Sequence, residues 1–296
     1  MVKKVLSILN KEFSGLHQAA FLLGSFALLS QVLALVRDRL FAYSFGASAT
    51  LDIYYAAFRV PDLVFASIAS IVFVSIILFF IIPWLSGVLF PGFSSQEQSL
   101  LVALTRILLL SPILLGISNL LGSVTQTFRR FFVYALSPVF YNIGIIFGII
   151  FFYPTFGILG LGYGVVLGAV LHLFIQIPSV VRQKLLPKIS LSIDIESMKR
   201  VATLSLPRTL GISANHIALL VLISFASLME EGSIAIFNLS FNLQSVPLSV
   251  IGVSYSVAAF PTLARLFASK EMEKFMKNII TAMRHILFWS IPILSL

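Results

Sequence analysis

Apolar runs long enough to cross a lipid bilayer, each closed by a short polar stretch, recur along the whole of this sequence. A span needs about 20 mostly apolar residues, because roughly 30 Å of hydrocarbon is covered at 1.5 Å per helical residue. A β-barrel would show alternating segments of about ten residues instead, and no such alternation is present. Only 10% of the 296 residues are charged and the mean hydropathy is +1.04, whereas a soluble domain carries roughly a quarter. The sequence therefore predicts an all-α polytopic membrane helix bundle.

Nine spans fit the pattern, over residues 18–40, 50–71, 72–91, 100–125, 132–153, 156–181, 202–228, 233–263 and 278–296. Charge tests the loops between them. With the N-terminus inside, the inside segments hold Lys3, Lys4, Lys11, Arg129, Arg130, Arg182, Lys184, Lys188, Lys199, Arg200, Arg265, Lys270, Lys274 and Lys277, fourteen of the 20 basic residues. The turns near 43–50, 92–99, 154–155 and 229–232 hold none. Cytoplasmic loops collect Lys and Arg, so the net charge of +9 reads as topology; long apolar blocks leave no basic face for nucleic acid to track. The expected division is a cytoplasmic interfacial lead-in over 1–16, a six-span lobe over 17–183, a cytoplasmic linker over 184–201, and part of a second lobe over 202–296.

One segment resists this scheme. As a single helix, residues 51–91 would run about 60 Å, twice the hydrocarbon thickness, and all later loops would change sides. Two spans are required, with a break expected near 70–75. Yet Leu63–Pro83 contains no charge, Gly or Asn to form a turn.

Charges inside the spans are costly and mark cavities or partners. Arg37 and Asp38 fall late in the first span, and Asp52, Arg59 and Asp62 in the second. Arg59 and Asp62, three apart, share a helical face and are placed to pair. Asp52 and Arg39 read best as internal ion pairs or snorkelling side chains, whereas Arg37, Arg59 and Arg208 read best as facing a hydrated central cavity. Arg106 and Arg284 are expected to snorkel from helix ends. Prolines interrupt most spans, and Pro207 beside Arg208 sets a kink next to a charge. The glycines from Gly157 to Gly168 suggest close helix packing, and Asn119, Asn142, Asn215 and Gln176 suggest bonds across helices. The absence of cysteine excludes disulfides and thiolate chemistry. The four histidines lack metal-site spacing, and no Gly-rich phosphate loop is present. Nothing points to an enzyme, a metal or another cofactor.

The halves hint at a repeat: Ser44-Phe45-Gly46-Ala47-Ser48 and Ser224-Phe225-Ala226-Ser227 each precede a short acidic turn, with Asp52 in one and Glu230 and Glu231 in the other. The stretch Leu29–Asp62 (LSQVLALVRDRLFAYSFGASATLDIYYAAFRVPD) closely resembles the N-terminal signature of the lipid II flippase family, MurJ/MviN. Gln126–Pro178 is similar to that family's fifth and sixth spans, and Leu206–Leu263 to its seventh and eighth. The resemblance implies two six-span lobes around a cationic cavity in a bacterial cytoplasmic membrane. It also implies flipping of an undecaprenyl-pyrophosphate-linked peptidoglycan precursor, with membrane lipids and a coupling ion as further partners. Arg37, Asp38, Asp52 and Arg59 match family positions, and Arg208 joins them as a substrate-binding candidate. Gln31, Phe65 and Asn242 stand where the family carries arginines. Those departures keep two alternatives open: a polysaccharide-lipid flippase or drug/cation exporter of the same superfamily, or a non-transporting membrane scaffold.

The topology is directly testable, because single cysteines introduced into this sequence meet no native thiol. Labelling is expected to place residues 129–130 and 184–188 on the cytoplasmic side and residues 92–99 and 229–232 opposite. Labelling of 129–130 from outside would contradict the charge argument.

Overall fold

The computed structural model describes residues 16–62, 68–127, 131–182, 203, 214–247, 263 and 266–294, and every regular element among them is helical. Hydrocarbon offers no partner for a free backbone N–H or C=O, so helices satisfy each span internally. The elements are α1 (Leu16–Phe45), α2 (Ala49–Asp62), α3 (Ile68–Leu89), α4 (Ser95–Leu108), α5 (Leu110–Thr127) and α6 (Phe131–Phe147). A π-helical turn (Gly148–Phe152) leads from α6 into the short α7 (Tyr153–Phe156). Then follow α8 (Ile158–Phe174), α9 (Ile177–Arg182), α10 (Ala214–Ala226), α11 (Ser233–Pro247) and α12 (Met272–Leu294). Four continuous stretches are long and apolar enough to cross a membrane: Ile71–Leu89, Ser95–Thr125, Phe132–Phe156 and Ile158–Arg182. They correspond to the third to sixth expected spans. The seventh, eighth and ninth expected spans fall partly outside the described residues; the lead-in over 1–16, but for its last residue, and the whole of the linker over 184–201 lie outside them.

The chain divides into two compact units, Met1–Phe237 and Asn238–Leu296. In the first, α8 is the hub, packed against α4, α5 and α6, while α1 lies on α6 and α4 separates α2 from α3. In the second, α12 starts six residues before the expected ninth span; Lys274 pairs with Glu271 at 2.5 Å across its first turn.

Residues 51–91 do form two helices. Ala49 and Thr50 at the start of α2, Ser94 and Gln96 after α3, and Tyr153 and Ile158 line one pocket, so α2 begins on the face where α3 ends. The break is not at 70–75, which lies within the continuous helix α3. Residues 63–67, between Asp62 and Ile68, lie outside the description. An apolar run rich in β-branched residues, such as Ile71–Ile77, remains helical because the hydrocarbon gives its backbone no alternative partner. At the other end of α3, Ser94 and Glu97 form a reciprocal capping box, with the Ser94 N–H donating to Glu97 Oε2 at 2.7 Å. That box starts α4 five residues before the apolar window suggested.

The tightest packing is between α6 and α8. Lipid tails are as apolar as leucine, so helices in a membrane gain from close backbone approach at small residues rather than from hydrophobic burial. Gly144 on α6 and Gly148 at the start of the π-helical turn face Gly168 and Gly164 on α8, and a Cβ on Gly164 would lie 2.5 Å from Gly148 Cα. The glycine run is a packing seam. Gly164→Ala is therefore expected to destabilise the protein by about 1–3 kcal/mol, the usual cost of overpacking. Gly24, with nothing near its Cβ position, should accept alanine without loss. Thermal unfolding of both variants in detergent checks this.

Candidate functional site

The described members of the expected site occupy two levels of the first unit. The deeper level is built on α1. Arg37 donates from Nε and Nη2 to Asp38 Oδ1, at 2.9 and 2.8 Å, and from Nη1 to Asn142 Oδ1 on α6 at 3.2 Å. Asn142 in turn donates from Nδ2 to Ser30 Oγ at 3.2 Å and to the Pro138 carbonyl at 3.0 Å. Both charged side chains are largely shielded, at 20% and 12% exposure. The buried cation is thus neutralised by its neighbour in sequence and tied to a second helix by an amide. The guanidinium lies about 12 Å along α1 from its end at Phe45.

Above it is an aromatic layer. The Phe41 ring sits 4.8 Å from Tyr54 and 6.1 Å from Tyr55, and Phe45 meets Tyr153 edge-on at 4.6 Å. Phe41, Tyr54 and Tyr55 are all buried, so this layer seals α1 against α2.

The upper level lies where the turns gather. Asp52, in the first turn of α2, accepts from the backbone N–H of Gly232 at 2.7 Å and of Ala235 at 2.6 Å. These are the N-cap and third residues of α11, whose first N–H groups have no partner within the helix; Gly232 has no side chain to cap them. Glu231, next to that cap, accepts from the N–H of Ala49 at the start of α2 at 2.9 Å. Each helix is capped by a carboxylate from beside the other's N-terminus. Gly232 takes φ +89°, and a Cβ there would lie 2.6 Å from Ala47. Only glycine permits both that conformation and that approach. The backbone of Gly92 also lies against that of Ser227, which brings a third turn to this face.

Asp52 therefore does not snorkel and is not half of an ion pair: its partners are backbone N–H groups. Arg59 stands on the last turn of α2, half-buried and about 10 Å along the helix from Asp52. Its expected pairing with Asp62 involves a side chain outside the description, and Arg208 also lies outside the described residues. Asn142 bonds across helices as its type suggested, and so does Gln176, which donates to Ser118 at 2.6 Å. Ser118 also meets His172 Nδ1 at 2.7 Å. The sequence missed Glu231 as a partner of α2, although its place in the repeated acidic turn was the available signal. Among the described residues no cluster of His, Cys, Asp and Glu is arranged to hold a metal ion.

Membrane-length helices, an ion pair on one helix tied to a second by an amide, and helix ends latched together on one face define a polytopic helical membrane protein. The chain belongs to the lipid II flippase MurJ family, whose family model matches residues 64–295. A probable lipid II flippase MurJ of Buchnera aphidicola subsp. Schizaphis graminum is 28% identical over 313 residues, covering 91% of this chain and 60% of the relative. Lipid II flippase MurJ of Burkholderia cenocepacia is 25% identical over 305 residues, covering 88% and 59%. The chain thus spans about 60% of the length of the curated relatives it matches. A solved structure of lipid II flippase MurJ in an inward closed conformation shares the fold, with a TM-score of 0.73 and 23% identity over 92% of this chain and 64% of that one.

The latch makes a measurable claim. A helix cap is worth about 1–2 kcal/mol, so Asp52→Ala should speed hydrogen exchange at the amides of residues 232–236 roughly five- to thirty-fold. Unchanged exchange would show that the carboxylate does not hold α11.

Proposed function

We propose that this chain forms the first lobe and the outer latch of a flippase that moves an undecaprenyl-pyrophosphate-linked peptidoglycan precursor across the cytoplasmic membrane by alternating access. In this reading the N-terminus and the basic segments are cytoplasmic, and the face that gathers the turns is the outer one. A charged pyrophosphate carrying sugars cannot cross hydrocarbon unaided, because stripping its hydration costs far more than thermal energy. An arginine fork inside the bundle offers it a charge-assisted, bidentate partner.

The observation that carries the proposal is the Arg37–Asp38–Asn142 tie beneath a latched face. A phosphate arriving from the inner side competes with Asp38 and Asn142 for the same guanidinium. Taking Arg37 from Asn142 loosens α1 from α6, and α1 carries Phe41 into the aromatic layer against α2. Substrate binding is thereby linked to the element that holds Asp52. Arg59 and Arg208 are further cationic contacts in this reading. A coupling ion completes the partners.

Complementation of a flippase-depleted bacterium with the gene carrying this sequence tests the proposal. Arg37→Ala and Arg37→Glu should fail to restore growth, with the lipid-linked precursor accumulating. Single charge changes at Lys184, Lys188 or Lys270 should be tolerated, since a solvated loop charge contributes less than about 1 kcal/mol to any contact. Growth with Arg37→Ala at normal expression would show that the cation is structural.

A further inference from the structure

Arg106 stands in the last turn of α4, where α4 and α5 run on as one membrane-length stretch, Ser95–Thr125, so it is far from either end of that span. It lies eleven residues into α4, about 16 Å from Ser95. The first turn of α4 is polar (Ser95, Gln96, Glu97, Gln98, Ser99) and carries the helix out of the hydrocarbon, which leaves Arg106 well below the interface. Its Nε donates to the Phe79 carbonyl in the middle of α3 at 3.1 Å, and its guanidinium carbon stands 4.7 Å from the Phe79 ring centre. No other hydrogen bond or ion pair to Arg106 occurs among the described residues. Its place near a helix end is as expected, but the side chain does not snorkel, because it is fixed to the middle of the neighbouring helix.

Beside it runs a groove of about 570 Å³ between α3 and the α4–α5 rod, floored by Ser75, Phe79, Phe80, Leu110 and Ile113. Phe80 is 72% exposed and Leu110 52%, so the groove opens on the bundle's outer surface, where the solvent is lipid. Its polarity has a direction. Arg106 and Phe80 lie at the end nearer the gathered turns, and the groove continues about 10 Å along the helices to Ile113, deeper in the bilayer. A cation at the mouth and an apolar slot pointing inward match one molecule: a phospholipid of the leaflet on the turn side. Its phosphate would meet the two Nη groups, and an acyl chain would follow the slot. A lipid-facing charge draws headgroups and water inward by local thinning, so the phosphate need not stay at the undisturbed interface.

We infer that Arg106 and the α3–α4 groove form a binding site for a membrane phospholipid. The site is distinct from the Arg37–Asp38 level and independent of the flipped substrate. Native mass spectrometry of the detergent-purified protein, titrated with dioleoylphosphatidylglycerol and with dioleoylglycerol, reads it. One phosphatidylglycerol should bind at least about ten-fold tighter than the uncharged lipid, the contribution of a charge-assisted contact. Arg106→Gln should abolish that preference while leaving diacylglycerol binding unchanged, which also reports that the groove is intact. Leu110→Trp, which fills the slot and keeps the charge, should weaken both lipids; with the wild-type comparison it decides the matter if Arg106→Gln does not fold. Equal binding of the two lipids, a preference retained in Arg106→Gln, or displacement by millimolar inorganic phosphate would each overturn the assignment.

Discussion

Two helix N-termini brought face to face repel each other, since each carries the equivalent of about half a positive charge and a set of unpaired N–H groups. The closed face of this bundle depends on how that repulsion is met. Asp52 and Glu231 place a carboxylate at each end, and each serves the helix it does not belong to. Because the acceptors come from opposite segments, neither helix start is fully satisfied unless the two stay together. The contact therefore has two discrete states, made or broken. The proposed alternation between faces would need such an element, since packed interiors switch between arrangements rather than deforming continuously.

Beneath the latch, the bundle uses means suited to a solvent that gives no hydrophobic drive. The α6–α8 seam is held by backbone approach at paired glycines, and α1 is tied to α6 by Arg37, Asn142 and Ser30. Polar ties in a membrane are worth only about 1 kcal/mol each, enough to set a geometry and weak enough to exchange for a ligand. Rigidity and exchangeability fall on different helix pairs: α6 with α8 is a fixed seam, and α1 with α6 is a joint.

Much of this architecture was legible in the residues. Charge placement identified the turns that share one face, and chain length required residues 51–91 to fold back. The position of the break was misjudged because apolar residues look alike in mid-span and at a turn. Arg106 sits deeper than its place in the apolar window suggested, because depth is counted from a helix start and the Ser94–Glu97 box moves that start outward. The role of Asp52 was beyond sequence reasoning: its partners are backbone N–H groups 180 and 183 positions away, and backbone groups leave no signature in composition. The paired acidic turns of the repeat were visible, but not that each would cap the other's helix.

The central claim is that Asp52, Glu231 and the two helix starts act as one unit. A double-mutant cycle tests it most directly: Asp52→Ala, Glu231→Ala and the pair, read by hydrogen exchange at residues 49–53 and 232–236 in the protein reconstituted in lipid. A shared latch predicts that either single change exposes both segments and that the double change adds little, leaving a coupling of at least about 1 kcal/mol. Additive effects, with each substitution loosening only the helix its own carboxylate caps, would show two independent caps and contradict the account.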